Sequence, residues 1–423
     1  MGNSTCRRRF EICNYSASGM PVDFRRYAYF DPLFHEYAEF GSANIRIDSD
    51  LVHGHSTLAV QTLQKYEMVQ QVGVTETVKR GNIMKNKISN TFQHFNIPAR
   101  FNGAVSVVKS GKILFQEAFG YSDMPNKIAN KIDTRFATAS AGKVFVATGI
   151  LQLIEENKLE FETSIGDILP FDLGAIDKKV TIKQLLTHTS GITDYFDESV
   201  LDDYAELWRD FPNYKIRKSL DLLPMFTDKP MLHQPGEHFQ YNNAGFVLLG
   251  LVIEAITKQP FDKILRERIF PACGMNDTDY FELDKLPERC ANSYIYDSKS
   301  GEYRMNIYSV PAKGAGDGGA FTTIGDIQKF WDNLLEGNLI SRALLNEMLK
   351  VQTHDNDYFY GCGIWLEKTE CGYFPYFEGL DPGISFISSY DLKNDICLTV
   401  VSNCGQNVWK LRQNILSTQC GHY

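Results

Sequence analysis

The chain has 423 residues, 43% of them hydrophobic and 22% charged, an ordinary globular composition that excludes a fibre or a disordered polymer. At about 150 residues per domain the length allows two or three domains. The 43 basic residues against 52 acidic ones leave a formal net charge of −9, which argues against the broad positive field of a nucleic-acid binder. The longest uncharged apolar run, Ala244 to Ile253, has 10 residues, whereas a spanning helix needs about 20. Arg7, Arg8 and Arg9 are followed by no apolar run of the signal-peptide kind. The expectation is a cytoplasmic protein with no transmembrane segment and no nucleic-acid partner.

Residues 1–82 differ from the rest. They are rich in Tyr, Phe and Arg at first and then carry Leu58, Leu63, Tyr66, Val69 and Val72 at near-helical spacing. They are expected to form an N-terminal extension of unknown role, with residues 83–423 as the main domain. His53 and His55 make a His-x-His pair, but two ligands do not make a metal site. From Gly103 the pattern turns to strands: Ala104–Val108 and Ile113–Phe119 flank Lys109-Ser110-Gly111-Lys112, a hairpin turn. A buried helix is expected over Ser140–Asn157, from Val144, Ala147, Leu151 and Ile154 at three- and four-residue steps.

Further helices are expected around Lys183–Leu186, Ala244–Thr257, Phe261–Ile269 and Ile324–Glu336. Strand patterns return at Tyr360–Leu366, Tyr373–Phe377, Ile384–Tyr390 and Ile396–Ser402, followed by a helix over Val408–Leu416. This order predicts an α+β fold. Its antiparallel sheet comes from N- and C-terminal segments, with helices on its faces, a mainly helical lobe inserted between, and a ligand cleft between the lobes. The nine scattered cysteines contain no Cys-x-x-Cys pair and read as reduced, buried side chains, although Cys362 and Cys371 can face each other across a hairpin.

Common catalytic motifs are missing: there is no Gly-x-Ser-x-Gly, no Gly-Lys-Ser/Thr and no His-Glu-x-x-His. Gly314, Gly316 and Gly319 fit Gly-x-Gly-x-x-Gly without the strand and helix of a dinucleotide site, and read as a mobile loop before a helix. Ser-x-x-Lys occurs twice. Ser106 and Lys109 lie on a predicted strand, where a separation of three puts them on opposite faces. Ser140 and Lys143 instead open the first long helix, where i and i+3 share a face. There a desolvated lysine can help to remove the serine proton, and helix N-terminal N–H groups can receive an oxyanion. Tyr241 is the only one of 21 tyrosines with Asn two residues later. Such a tyrosine can carry a proton, and Asn243 can orient lysine and substrate; the competing reading of Tyr241 is a core aromatic.

With these residues the chain resembles the penicillin-recognising serine hydrolases of the β-lactamase, class C-like type, which include esterases, D-aminopeptidases and DD-carboxypeptidases. The resemblance rests on Phe136-Ala-Thr-Ala-Ser140-Ala-Gly-Lys143, Leu185-Leu-Thr-His188-Thr-Ser190-Gly191, Pro235-Gly236 before Tyr241-Asn-Asn243, Gly314 to Thr323, and Pro382-Gly383, in family order. It implies a β-lactamase/transpeptidase-like fold, Ser140 as the acylated nucleophile, Lys143 and Tyr241 sharing proton transfer, and Asn243 positioning substrate. His188 then belongs to a structural turn and is no triad base.

The family's His-x-Gly or Lys-Thr-Gly motif falls at Phe377-Glu378-Gly379, where the cation or imidazole is absent. Phe377, Gly379 and Leu380 are expected to line the substrate site, with the backbone N–H of Leu380 completing the oxyanion hole. The implied activity is hydrolysis of a small-molecule or peptide-like ester or amide without metal or organic cofactor. The alternatives are a β-lactamase or DD-carboxypeptidase, or a catalytically weak ligand-binding relative. Oligomeric state is left open. Deleting residues 1–82 is expected to leave a soluble chain that still reacts with activated esters, checked by labelling of the truncated protein.

Overall fold

The computed structural model describes residue 95, residues 97–196 and residues 204–419. The expected extension over 1–82, with His53 and His55, lies outside the described residues. The chain divides into two compact units, and the larger contains residues 98–413; apart from the end of the last helix, everything below concerns that unit.

Its frame is an eight-stranded antiparallel sheet in the order β2-β1-β14-β13-β12-β11-β10-β9. Strand β1 (Gly103–Lys109) pairs on one side with β2 (Lys112–Phe119) and on the other with β14 (Ile396–Ser402), Gly103 opposite Ser402. Ser110 and Gly111, the two residues of the β1–β2 turn, both have positive φ (48° and 71°), the geometry that a right-twisted two-residue hairpin requires. The N-terminal hairpin therefore closes against the last strand, as the strand patterns at both ends predict. Strands β13 (Ile384–Asp391) and β12 (Gly372–Asp381) continue the sheet, followed by β11 (Trp365–Thr369), β10 (Tyr358–Tyr360) and β9 (Thr353–Asp355).

Both faces of the central strands are covered, which explains why β14 is buried along its whole length and reads as a continuous apolar run. On one face lies α5 (Ile324–Glu336), whose Trp331 donates its indole N–H to Ser388 Oγ at 2.8 Å and stacks on Phe377 at 4.9 Å. On the other face α7 (Val408–Gln419) sends Arg412 to Ser389 at 2.8 Å and to Glu367. Neighbouring serines on one strand thus serve opposite layers, as the two-residue strand period demands.

After the small pair β3 (Tyr121–Asp123) and β4 (Ile128–Ala129), the chain between β5 (Phe136–Ala137) and β9 is mainly helical, with β6 (Tyr294–Asp297) paired to β7 (Glu302–Met305) and β5 to β8 (Phe321–Thr322). Helix α1 (Lys143–Glu155) is apolar almost all round and buried, packing on α3 (Asn243–Thr257) and α4 (Phe261–Arg268). The short α2 (Ile182–Leu186) starts with a Thr181–Gln184 capping box. No single described helix is long and apolar enough to cross a membrane.

Several expectations need correction. The strand expected over Tyr360–Leu366 is two strands, because the intervening Gly361 backbone packs on Met348 and Gly363 on Ala147, at distances that leave no room for a Cβ. A helix not anticipated, α6 (Arg342–Leu349), starts behind the cap Ser341. Cys362 is buried and Cys371 exposed, and both are free thiols. The glycine segment 314–319 is no mobile loop: Gly316 packs on Phe246 and Gly250, and Gly318 on Ala139.

Trp331 is fully buried and joins α5 to β12 and β13. Trp331→Ala is expected to cost about 3–5 kcal/mol, measured as a lower midpoint in denaturant with the fold otherwise retained.

Candidate active site

Ser140 lies in a single 3-10 turn, Ala139–Gly142, between β5 and α1, so the long helix starts three residues later than its apolar spacing suggests. The turn is held from outside. Thr138 N donates to Ala320 O at 2.8 Å and Gly319 N to Ala139 O at 3.0 Å, and Ala139 adopts a positive φ of 46°. Such a conformation costs energy for a residue with a side chain and persists where its surroundings fix it.

Lys143 is 3% exposed, and its Nζ reaches three acceptors: Ser140 Oγ at 2.9 Å, Asn243 Oδ1 at 2.8 Å and the Asp317 carbonyl at 2.6 Å. The three come from the 3-10 turn, the first residue of α3 and the glycine segment. The Tyr241 ring lies 5.0 Å from the same Nζ and stacks against Trp365. Ser140, Lys143, Tyr241 and Asn243 therefore converge, although they span about a hundred residues of sequence.

The second Ser-x-x-Lys does not converge: Ser106 is buried on β1, where it accepts from Gln116, and Lys109 is exposed. His188 has a positive φ of 56° and accepts the Asn242 backbone N–H on Nδ1 at 3.1 Å, while its carbonyl takes Gln240 N–H. It is a clamp on the tyrosine loop, which fits the structural role expected of it.

Gly379 sits on β12 against the Ser140 turn. A Cβ there would fall 2.2 Å from Thr138 O and 2.7 Å from Ser140 N, so only glycine lets this strand approach. Leu380 and Ser140 line one cavity together with Asn243, Asp317 and Asp381. Apolar walls come from Phe196, Phe281 and Phe321. No lysine, arginine or histidine is among the described residues that line it.

Phe377 is misplaced by the sequence reading as a substrate contact. It is 3% exposed and stacks between Trp331 and Phe386, in the core beneath the sheet. Glu378, on the opposite face, accepts the Trp409 indole N–H and so does not point at Phe377's side. A lysine at position 377 would bury its cation among aromatic rings instead of presenting it to the cavity.

One residue escaped the sequence reading. Asp194, 5% exposed, accepts four N–H groups: Asn243 N at 2.6 Å, Asn243 Nδ2 at 3.2 Å, Ala244 N at 3.2 Å and Tyr195 N at 2.7 Å. Burial pushes its carboxyl up to about 7, against the pull of these donors and of Lys143. Asp317, which accepts the Tyr195 hydroxyl, is likewise raised by burial. The available signal was an acid four residues after Ser190 in a turn that packs beneath the YNN loop. No cluster of three metal-ligating side chains occurs among the described residues.

Two substitutions test this geometry. Gly379→Ala is expected to lose about 1–3 kcal/mol from overpacking and to slow reaction at Ser140 by roughly 100-fold through displacement of the turn, read by thermal melting and by labelling rate. Phe377→Lys is expected to lower the melting temperature sharply without improving turnover of carboxylate-bearing substrates.

The Beta-lactamase family model matches residues 88–414. A putative penicillin-binding protein, PbpX of Bacillus subtilis (strain 168), is 26% identical over 356 residues, covering 83% of this chain and 82% of its own. Another penicillin-binding protein of the same strain is 30% identical over 271 residues, and the match covers 61% of this chain but only 58% of that relative. Among solved structures, a penicillin binding protein from Bacillus halodurans superposes with a TM-score of 0.73 at 34% identity, covering 78% of this chain and 99% of that one. D-amino acid amidase from Ochrobactrum anthropi SV3 shares the fold, with a TM-score of 0.66 at 22% identity over 80% of this chain and 99% of its own. The buried lysine beside a serine on an α+β frame is thus set in a known context: this chain belongs to the β-lactamase family, alongside penicillin-binding proteins.

Proposed function

We propose that this protein is a serine hydrolase that forms an acyl-enzyme on Ser140 and hydrolyses an ester or amide. The observation that carries the reading is the 2.9 Å approach of Lys143 Nζ to Ser140 Oγ at the wall of the cavity. In its neutral form the amine accepts the hydroxyl proton as Oγ attacks the substrate carbonyl carbon. The backbone N–H groups of Ser140 and Leu380 receive the developing oxyanion. The proton then passes to the leaving alcohol or amine through Lys143 and Tyr241, and the acyl–oxygen bond to Ser140 is later cleaved by water. Asn243 holds the amine and faces the substrate. Residues 1–82 are proposed as an appendage outside this machinery.

The cavity also bears on substrate class. Penicillins and D-Ala-D-Ala peptides carry a carboxylate, and a charge-assisted hydrogen bond to such a group is typically worth about 1.5–3 kcal/mol. The described lining offers two carboxylates, Asp317 and Asp381, and no cation. Neutral substrates, or substrates with an amine in the cavity, fit this charge better than anionic ones.

Intact-mass labelling with a fluorophosphonate and an activated ester should place the adduct on Ser140, and Ser140→Ala should abolish it; labelling elsewhere, or none in the native protein, favours a ligand-binding relative. Lys143→Ala and Tyr241→Phe should each lower kcat by orders of magnitude, and the double variant should add little, as groups acting in one relay do. A short-chain p-nitrophenyl ester should be turned over with a higher kcat/KM than nitrocefin or a D-Ala-D-Ala peptide. Efficient turnover of either of the latter refutes this preference.

A further inference from the structure

A neutral lysine amine has two N–H bonds and one lone pair. For Lys143 to act as base, the lone pair must face the Ser140 hydroxyl, so both N–H bonds need acceptors elsewhere. The structure supplies two, Asn243 Oδ1 and the Asp317 carbonyl. The carbonyl is an acceptor by nature. The amide of Asn243 is not, because a half-turn about its last bond exchanges oxygen for NH₂ within nearly the same volume. In the exchanged state an N–H would point at the amine and compete with the Ser140 hydroxyl for the lone pair.

What decides between the two states is on the far side of the amide. There Asn243 Nδ2 lies 3.2 Å from Asp194 Oδ2, which also takes the Asn243 main-chain N–H at 2.6 Å. An ionised carboxylate only accepts, so it demands the NH₂ end and repels the oxygen. We propose that Asp194 is a positioning residue for acylation: it locks the Asn243 amide with its oxygen toward Lys143 and thereby aims the lysine lone pair at Ser140. This rests on the reading of Ser140 and Lys143 as nucleophile and base.

The inference carries a pH signature. The groups that face Asp194 are Lys143 on α1, Asp317 in the glycine segment, the N–H groups of Asn243 and Ala244 on α3, and Tyr195 beside it, while Lys229 donates to its main-chain carbonyl at 2.9 Å. Burial raises the carboxyl to about 7. Below that pH it is protonated and can itself donate to the amide oxygen, so the lock is released and acylation slows as pH falls through this range.

The test uses the full chain, p-nitrophenyl acetate as acyl donor and single-turnover formation of the Ser140 adduct by intact mass. Asp194→Asn preserves shape but offers both a donor and an acceptor. It is expected to lower the acylation rate constant at least 100-fold, with KM within a few-fold of native, circular dichroism unchanged, and the acid limb near pH 7 displaced. A folded Asp194→Asn protein that acylates within 3-fold of native with the same pH profile overturns the inference. Should that variant not fold, Asp194→Ser, which likewise offers both a donor and an acceptor, is read by the same two thresholds. Loss of the adduct from Ser140 in the native protein would instead overturn the underlying functional reading.

Discussion

A lysine amine taken out of water must find partners, and at Lys143 that requirement organises the molecule. Acceptors for it are contributed by the turn before α1, the start of α3 and the glycine segment. An unpaired amine in this position would be strongly destabilising, so each segment has to arrive within a few tenths of an ångström. The burial of α1 and α3, the positive φ of Ala139 and the bare glycine backbone at 316, 318 and 379 all serve this arrival. Close approach of main chain to main chain around one nitrogen is the device that the site shares with the core.

Polar groups are layered outward from that nitrogen. Asn243 contacts it directly, Asp194 holds Asn243, and the main-chain amides of Tyr195 and Ala244 hold Asp194. Asp317 joins from another side by giving its carbonyl to Lys143 and its carboxylate to the Tyr195 hydroxyl. Segment 192–195 is thus tied to both walls of the cavity. A network in which every member has a partner is rigid in a way that isolated pairs are not, and it holds the Lys143 amine in one direction.

Much of this was legible in the sequence where the determining contacts are local. The Ser110-Gly111 turn, the buried apolar helix after Ser140 and the strand patterns at Ile384–Tyr390 and Ile396–Ser402 each follow from neighbours a few residues apart, and each is found. The Ser140–Lys143 pair was legible for the same reason, since one turn of helix joins them. Asp194 was not, because its meaning depends on Asn243, 49 residues away. Phe377 was expected to line the substrate site; its motif located it correctly along β12, on the same face as Gly379, but only the arrival of Trp331 from α5 shows that this stretch of the face is core. The break at Gly361–Gly363 is likewise dictated by the Met348 carbonyl of α6 and the Ala147 methyl of α1, which no local pattern encodes.

The pairing of β1 with β14 has a consequence for how the cavity around Ser140 is assembled. Gly103 and Ser402 are partners across nearly the whole family region, and β12, which closes over the Ser140 turn, is inserted in the sheet beside β13. Contacts so distant in sequence form late, because long loops must close before they are rewarded. During synthesis the serine and its lysine emerge more than two hundred residues before the strand that confines them. The growing chain therefore carries the Ser140–Lys143 pair through more than two hundred residues before β12 is there to close over it.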